Sequence, residues 1–182
     1  VADAAEADRF HLIGESVGGT ISLYTAINAP DRILSVTALS TGHKGNYIQQ
    51  VGGWREMVEK DGFAVWTEKM MEHRFYPGAV DEDIYDWFAE TQADSSPETT
   101  LALGEMLMAQ DLSGELEKIN CPVLLIHPDS SPFLPVTMSA EIHSLLPNSE
   151  MMVIPHTKHA IACSHATESS IAFMDFLSER VV

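Results

Sequence analysis

The serine at position 16 is the residue whose surroundings most clearly indicate chemistry. It stands at the centre of a Gly-x-Ser-x-Gly pattern over residues 14–18, after an apolar stretch at residues 10–13 and before a helix-forming stretch at residues 17–29. Glycines on either side allow a sharp turn that lifts a serine hydroxyl above the end of a strand. The pattern predicts a nucleophile at Ser16, with the N–H of Val17 at the helix start placed to stabilise an oxyanion.

A serine hydroxyl is a weak nucleophile and needs a base within hydrogen-bond reach, which is usually a histidine. Of the eight histidines, His159 lies in a loop just after the last predicted strand, where its side chain can lean over the sheet edge toward Ser16. His156 and His165 lie close by and remain rivals for this role. We therefore predict a Ser16–His159 pair.

The charge of the chain limits the class of partner. Its 182 residues include 10 Lys and Arg against 27 Asp and Glu, a formal net charge of −17, which repels nucleic acid and anionic membranes. Two cysteines are too few for a disulfide framework, and no Cys or His cluster has zinc-site spacing, so no metal or other cofactor is expected. The apolar runs are too short to span a membrane and no signal-peptide pattern is present, which indicates a cytoplasmic protein.

Strands that alternate with helices predict an α/β fold. Four apolar stretches have the length of buried strands, at residues 10–13, 33–39, 121–127 and 150–154. Helices are predicted between and after them, at residues 17–29, 136–146 and 164–180. This order indicates a parallel sheet flanked by helices.

The middle of the chain interrupts the alternation. No strand is predicted between residues 47 and 110, and Gly62, Pro77 and Pro97 punctuate a series of helical patterns there. The predicted helices cover residues 48–60, 63–75, 81–91 and 97–110. We therefore predict a core made of residues 1–46 and 111–182, with residues 47–110 inserted as a helical cap.

Several segments resemble the α/β-hydrolase family from its central strand to its end. They are the stretch 121–127 for the seventh strand, 133–135 for the segment past the acid loop, 158–160 for the catalytic histidine loop and 171–177 for the final helix. The resemblance implies a partial α/β-hydrolase fold, with strands equivalent to the fifth to eighth. It implies hydrolysis of a carboxylic ester or lactone through an acyl-enzyme.

The middle segment resembles the cap of small-cap esterases, enol-lactonases and C–C bond hydrolases, on the basis of Trp54, Gly62 and the stretch 111–122. Large apolar side chains recur in it at near-helical spacing, which is typical of packing, although some must face Ser16. They are Trp54, Trp66, Met70, Met71, Phe75, Trp87, Met106 and Met108. A partly apolar acyl or cyclic substrate fits such a pocket best.

The sequence departs from the family at the acid that orients the histidine. Ser131 occupies the position where the resemblance implies an aspartate, and Asp129 is the only carboxylate in that loop. Asp129 either serves as the acid from two residues away or caps the turn before the next helix. If Asp129 does not orient the histidine, we expect the site to be slow or inactive.

The resemblance also implies groups supplied from outside this chain. The second oxyanion N–H of the family comes from a loop that would precede Val1, and the strand at residues 10–13 would pair with a further strand. We expect an N-terminal hydrolase segment or a second chain to complete the sheet. Besides an ester or lactone hydrolase, two classes stay open, namely a non-catalytic ligand-binding or signalling protein and a transferase, lyase or peroxidase on the same scaffold.

Overall fold

The computed structural model describes residues 1–180 as a single sheet with helices on both faces. The strands are β1 (Phe10–Glu15), β2 (Ile33–Leu39), β3 (Val123–Pro128) and β4 (Ser149–Ile154). All three pairings are parallel, and the spatial order is the chain order, β1-β2-β3-β4. The predicted α/β class with a parallel sheet is confirmed.

Eight α-helices accompany the strands within residues 1–180. They are α1 (Val17–Asn28), α2 (Trp54–Asp61), α3 (Phe63–Arg74), α4 (Glu82–Ala93), α5 (Pro97–Ala109), α6 (Val136–Leu145), α7 (Ile161–Ser164) and α8 (Ala166–Arg180). The four helices α2 to α5 fall in the stretch between β2 and β3 that lacks strands. None of the described helices is long and apolar enough to cross a membrane.

The two faces of the sheet bury different helices, because successive side chains of a strand point to opposite faces. On one face, Leu23 of α1 and Ile142 of α6 are fully buried against Val36 and Val123. On the other, Phe176 of α8 packs against strand residues that point the opposite way. Each fully buried side chain of this size contributes roughly 1.5–3 kcal/mol, so these layers fix the strand ends that carry the site.

Helices α2 and α3 pack on the loop that follows β3. Trp66 and Met70 of α3 are almost fully buried in one cluster with Phe133 and Leu134. Of the large apolar residues singled out in this segment, Met71 and Phe75 are also buried, whereas Trp87 is 57% exposed. These large apolar side chains therefore act mainly in packing.

Two predicted helices differ from the structure at their ends. The helix predicted from residue 48 begins at Trp54, because Val51–Gly53 forms a 3-10 turn rather than a continuous α-helix. The last helix is broken at His165, and the short helix α7 precedes the break. The N–H of Ala162 in α7 donates to Glu15 (3.0 Å), a contact between distant parts of the chain that local sequence patterns do not encode.

Candidate active site

Ser16 lies at the sharp turn between β1 and α1. Its backbone has φ 56° and ψ −118°, a conformation that residues with a side chain rarely adopt, and its N–H donates to Leu39 O (2.9 Å). The hydroxyl makes no hydrogen bond that caps α1. The turn therefore holds the serine in a strained position with its hydroxyl free for another partner.

The glycines of the turn are not equivalent. A Cβ at Gly14 would lie 2.3 Å from Gly18 O and 2.4 Å from Gly18 C, so β1 can meet the first turn of α1 only if position 14 is glycine. A Cβ at Gly19 would lie 1.7 Å from Thr41 Oγ1. Gly18 has no atom within 4 Å of its hypothetical Cβ. The close approach of the backbone depends on Gly14 and Gly19.

Substitution of Gly14 and of Gly18 should show which of these two positions the turn requires to be glycine. Gly14→Ala is expected to lower the free energy of unfolding by about 3 kcal/mol or more, because the obstructing atoms are backbone and cannot rotate away. Gly18→Ala is the matched control and should leave stability unchanged or raise it slightly, since alanine favours a helix. Urea unfolding of both variants measures the difference. Equal midpoints would contradict this steric account.

His159 reaches Ser16 from the loop after β4. Its Nε2 lies 2.8 Å from Ser16 Oγ, and its side chain is nearly inaccessible to solvent. The Ser40 hydroxyl donates to the His159 carbonyl oxygen (2.8 Å), and the Phe133 ring meets the imidazole edge-on at 4.8 Å between centroids. The structure thus brings together the predicted nucleophile and base, with Ser40 bound to the His159 main chain and Phe133 packed on its ring.

The second ring nitrogen of His159, Nδ1, lies next to Ser131. Ser131 Oγ lies 3.2 Å from His159 Nδ1 and accepts hydrogen bonds from the N–H groups of Phe133 and Leu134, both at 3.3 Å. Those two donors use the lone pairs of the hydroxyl oxygen, which leaves its hydrogen to donate to Nδ1. A histidine that accepts at Nδ1 carries its proton on Nε2, so it cannot take the proton of Ser16. Ser131 therefore favours the unproductive tautomer.

The structure does not bring Asp129 to the imidazole. Its carboxylate accepts from the N–H groups of His156 (2.8 Å) and Thr157 (3.1 Å) and from the Ser130 hydroxyl (2.8 Å). These bonds, the one to the His156 N–H first, lower the pKa of the exposed Asp129 carboxyl. In the sequence, Asp129 is a candidate for the acid of a triad. In the structure its hydrogen bonds instead tie the β3 loop to the histidine loop, because Ser131 already fills the place beside Nδ1.

The remaining histidines do not contact Ser16. His156, with φ 56°, stacks on Tyr76 at 4.6 Å, and His165 Nδ1 contacts the Ser164 hydroxyl. His43 and His127 are buried. Neither rival considered for the base therefore approaches the nucleophile.

Burial sets the basicity of His159. Desolvation first, and then the positive charge of Arg74 and the proximity of His127, lower the pKa of His159 from its ordinary 6.5 to about 3. A shift of this size disfavours the imidazolium by roughly 5 kcal/mol. No carboxylate within residues 1–180 offsets it at Nδ1, so His159 is a weak proton acceptor.

The activity of the site should therefore be nearly independent of pH in the acidic range. With a His159 pKa of about 3, the neutral imidazole is the main form at every pH above about 4, so kcat/KM for ester hydrolysis should stay flat from pH 8 to about pH 4.5. The same low pKa costs stability as the pH falls from 6.5 toward 3, because the unfolded chain binds the proton first. Rates by pH-stat, with circular dichroism to confirm folding, test this; an inflection near pH 6.5 would contradict it.

Helix α1 begins directly after Ser16. Val17 is the first residue of the helix, and the initial N–H groups of a helix have no acceptor within it. They also carry the positive end of the helix dipole. The role of the Val17 N–H as an oxyanion donor stays a prediction.

A small cavity of about 60 Å³ opens beside the Ser16–His159 pair. Its walls come from the β-strand loops and from the helical segment between β2 and β3. They include Thr20, Gly42, Ile48, Val51, Trp54, Arg74, Leu107, Phe133 and Leu134. Two of the residues that shape this site, Ser40 and Arg74, were missed by sequence reasoning. Ser40 follows a parallel strand at its carboxyl end, which is a recognisable signal, whereas nothing in the sequence marks Arg74.

A parallel sheet with a serine at a strand-to-helix elbow and a histidine beyond the last strand defines the class of α/β-hydrolase-fold proteins. The family profile described as alpha/beta hydrolase fold matches residues 1–166, and the chain belongs to this family. The resemblance found in the sequence is confirmed.

Individual relatives are more distant. A RutD protein of Shigella flexneri, whose name assigns it provisionally as a carbamate hydrolase, is 25% identical over 171 residues. That match covers 86% of this chain and 61% of the relative, so the chain spans less than two thirds of the relative's length.

Solved structures share the fold at low identity. The enol-lactonase of Burkholderia xenovorans LB400 superposes with a TM-score of 0.88 at 17% identity, covering 98% of this chain and 69% of that one. A bromoperoxidase of Bacillus anthracis gives a TM-score of 0.87 at 23% identity, with 98% and 70% covered. Their names differ in chemistry, so the fold alone does not choose a reaction.

Proposed function

We propose that the chain carries the nucleophile and base of a serine hydrolase that acts on a small carboxylic ester or lactone. The observation that carries the proposal is the 2.8 Å contact between His159 Nε2 and the hydroxyl of Ser16 at a strained strand-to-helix turn. Nucleophile and base within hydrogen-bond distance are the signature of covalent acyl transfer. The names of the RutD relative and of the enol-lactonase structure agree with a hydrolase.

The reaction proceeds in two halves. Ser16 Oγ attacks the carbonyl carbon while its proton passes to His159 Nε2, and the Val17 N–H donates to the oxyanion. Collapse of the tetrahedral intermediate expels the alkoxide, which takes the proton from His159. Water then attacks the acyl-enzyme, gives its proton to His159, and releases the acid as the proton returns to Ser16.

Attack by Ser16 requires the tautomer with the proton on Nδ1, opposite to the one that Ser131 favours. The difference between the tautomers adds to the barrier at every turnover. The proposal is therefore a slow hydrolase, with Asp129 positioning the histidine loop.

We further propose that an additional segment or a second chain completes the sheet and the oxyanion hole. Among the described residues β1 pairs with β2 alone, Ile13 on β1 is 60% exposed, and Ile21 and Tyr24 of α1 are also exposed. An unpaired apolar edge strand favours pairing. Gel filtration of this chain by itself tests the idea, since a stable monomer with full esterase activity would contradict it.

Residues 47–110 act, in this proposal, as a cap that closes over Ser16. The helices of this segment contribute Trp54, Arg74 and Leu107 to the cavity wall. Because the cavity holds only about 60 Å³, the substrate presents a short acyl group.

Covalent labelling tests the proposed function directly. A fluorophosphonate probe should modify Ser16 and should fail to modify a Ser16→Ala variant, with the site located by mass spectrometry. Ser22, whose hydroxyl donates to the Gly18 carbonyl, offers a matched control, because Ser22→Ala should still be labelled. Labelling elsewhere, or none, would contradict the proposed nucleophile.

A catalytically impaired ligand-binding protein is the second candidate. The position of Ser131 beside Nδ1 favours this second candidate. Loss of the acid from the Ser-His-Asp triad of a serine protease lowers kcat by about 10⁴. Tight binding of a small ester with no turnover above the Ser16→Ala background would select this candidate.

A further inference from the structure

Among the residues that the structure describes, Arg74 is the one positively charged side chain that lines the cavity beside Ser16. It ends α3, and its carbonyl accepts from the N–H of Ala160 (3.3 Å), the residue after His159. Its charge is felt at the imidazole, where it lowers the pKa of His159. Arg74 therefore belongs to the same site as the nucleophile and base.

Contacts from α4 hold the guanidinium in place. Arg74 Nε donates to Gln92 Oε1 (2.8 Å), Gln92 Nε2 donates in turn to the Thr67 carbonyl (3.1 Å), and the guanidinium carbon lies 5.2 Å from the centre of the Phe88 ring. A side chain fixed in this way loses little further entropy when it binds a ligand.

The two terminal nitrogens of Arg74 have no acceptor within residues 1–180. Its single hydrogen bond to another side chain is the one from Nε, and it forms no ion pair with a carboxylate of that part of the chain. Glu15 lies near enough to offset part of the effect of burial on the pKa of Arg74, but it forms no ion pair with the guanidinium, and one of its oxygens accepts from the N–H of Ala162. Burial lowers the pKa of Arg74, as expected for a cation without a paired anion.

A partly buried guanidinium with unused donors beside a nucleophile is suited to an anion. Its planar fork matches a carboxylate through two parallel N–H···O bonds. The cavity that Arg74 lines is small, about 60 Å³. We propose that Arg74 binds a carboxylate of the substrate, so that the hydrolase acts on short esters or lactones that carry a free carboxylate. This inference rests on the proposed hydrolase function.

A pair of substrates tests the inference on the unaltered protein. Mono-4-nitrophenyl glutarate and 4-nitrophenyl valerate share the leaving group and the length of the acyl chain, and only the first has a carboxylate. We expect kcat/KM to favour the glutarate ester by about 10-fold or more, since bonds to a charged partner discriminate strongly. Equal rates, or a preference for valerate, would overturn the inference while leaving the hydrolase function intact.

Substitutions assign the preference to the guanidinium. Arg74→Gln should reduce the glutarate-to-valerate ratio by about 10- to 100-fold, and Arg74→Lys should restore part of it. Arg55→Gln is the matched control, because Arg55 pairs with Glu105 at the surface and should leave the ratio unchanged. A purely structural role would lower both rates together, and an unchanged ratio in Arg74→Gln would overturn the inference.

Binding without turnover separates this inference from the proposed function. Ser16→Ala protein should bind glutarate more tightly than neutral glutaramide in isothermal titration, and Arg74→Gln in that background should weaken glutarate binding by about 10-fold or more. This result would support the carboxylate site even if no ester were hydrolysed. Failure of glutarate to bind would overturn it.

Discussion

Ser131→Asp is expected to raise kcat for ester hydrolysis by about 10²-fold or more. A carboxylate beside Nδ1 of His159 accepts the Nδ1 proton, which selects the tautomer whose Nε2 can take the proton of Ser16. It also stabilises the imidazolium, whose formation burial now disfavours. Loss of the acid from a Ser-His-Asp triad of a serine protease lowers kcat by about 10⁴, which sets the upper limit of the gain expected here.

The loop around position 131 already has N–H groups that can donate to a carboxylate. The N–H groups of Phe133 and Leu134 donate to the Ser131 hydroxyl, and both remain available to an aspartate oxygen. A negative charge with two such donors is stabilised, so the substitution should fold without large cost. The pKa of His159 should rise in the variant, bringing an acidic limb into the pH–rate profile that the unaltered protein lacks.

Ser131→Asn is the matched control for this prediction. Asparagine has nearly the shape of aspartate but no charge, and its amide can present an N–H to Nδ1, so we expect no gain in kcat. Steady-state kinetics with 4-nitrophenyl acetate, with unfolding midpoints for all three proteins, measure the effect. Equal gains from Asp and Asn would show that packing rather than charge limits the site, contrary to the tautomer argument.

Ser16→Ala is expected to remove ester hydrolysis down to the level of the uncatalysed reaction. The substitution deletes the atom that forms the acyl-enzyme, and the 2.8 Å contact with His159 has no substitute in the described part of the chain. The loss should be larger in the Ser131→Asp background, at about 10³-fold or more, because that protein has more catalysis to lose.

The two substitutions should be strongly non-additive. In a Ser16→Ala protein, Ser131→Asp should bring no gain, since a base that is correctly protonated has no hydroxyl to activate. The unfolding midpoint of Ser16→Ala should equal or exceed that of the unaltered chain, because alanine removes a hydroxyl but keeps the strained turn. Residual turnover that still responds to Ser131→Asp would indicate a nucleophile other than Ser16.

A site built in this way separates binding from turnover. Ser16 and His159 lie within hydrogen-bond distance of each other, whereas Ser131 lies beside Nδ1, where it favours the tautomer that cannot accept the Ser16 proton. The difference between an active and an impaired hydrolase is one side chain in the loop after β3. Relative rates of Ser131→Asp and the unaltered chain therefore decide between the two candidate functions.

Local sequence was sufficient to predict the strands, the strand-to-helix turn and the position of Ser16 in that turn. Apolar runs bounded by Gly, Pro and polar residues located β1 to β4 to within three residues at each end. The Gly-x-Ser-x-Gly pattern located Ser16, because the close approach of Gly14 to Gly18 is a requirement between residues four apart in the chain. The choice of His159 over His156 and His165 followed from its place after the last strand.

The three-dimensional structure alone decided what surrounds that pair. Asp129 and Ser131 are two residues apart, and the direction of each side chain depends on how the loop after β3 meets the histidine loop. Arg74 lies 58 residues after Ser16 in the chain and reaches the cavity through the packing of α3 and α4. The sequence was sufficient to predict the Ser16–His159 pair, since each residue follows from local spacing. Only long-range packing determined their third partner and the nearby cation.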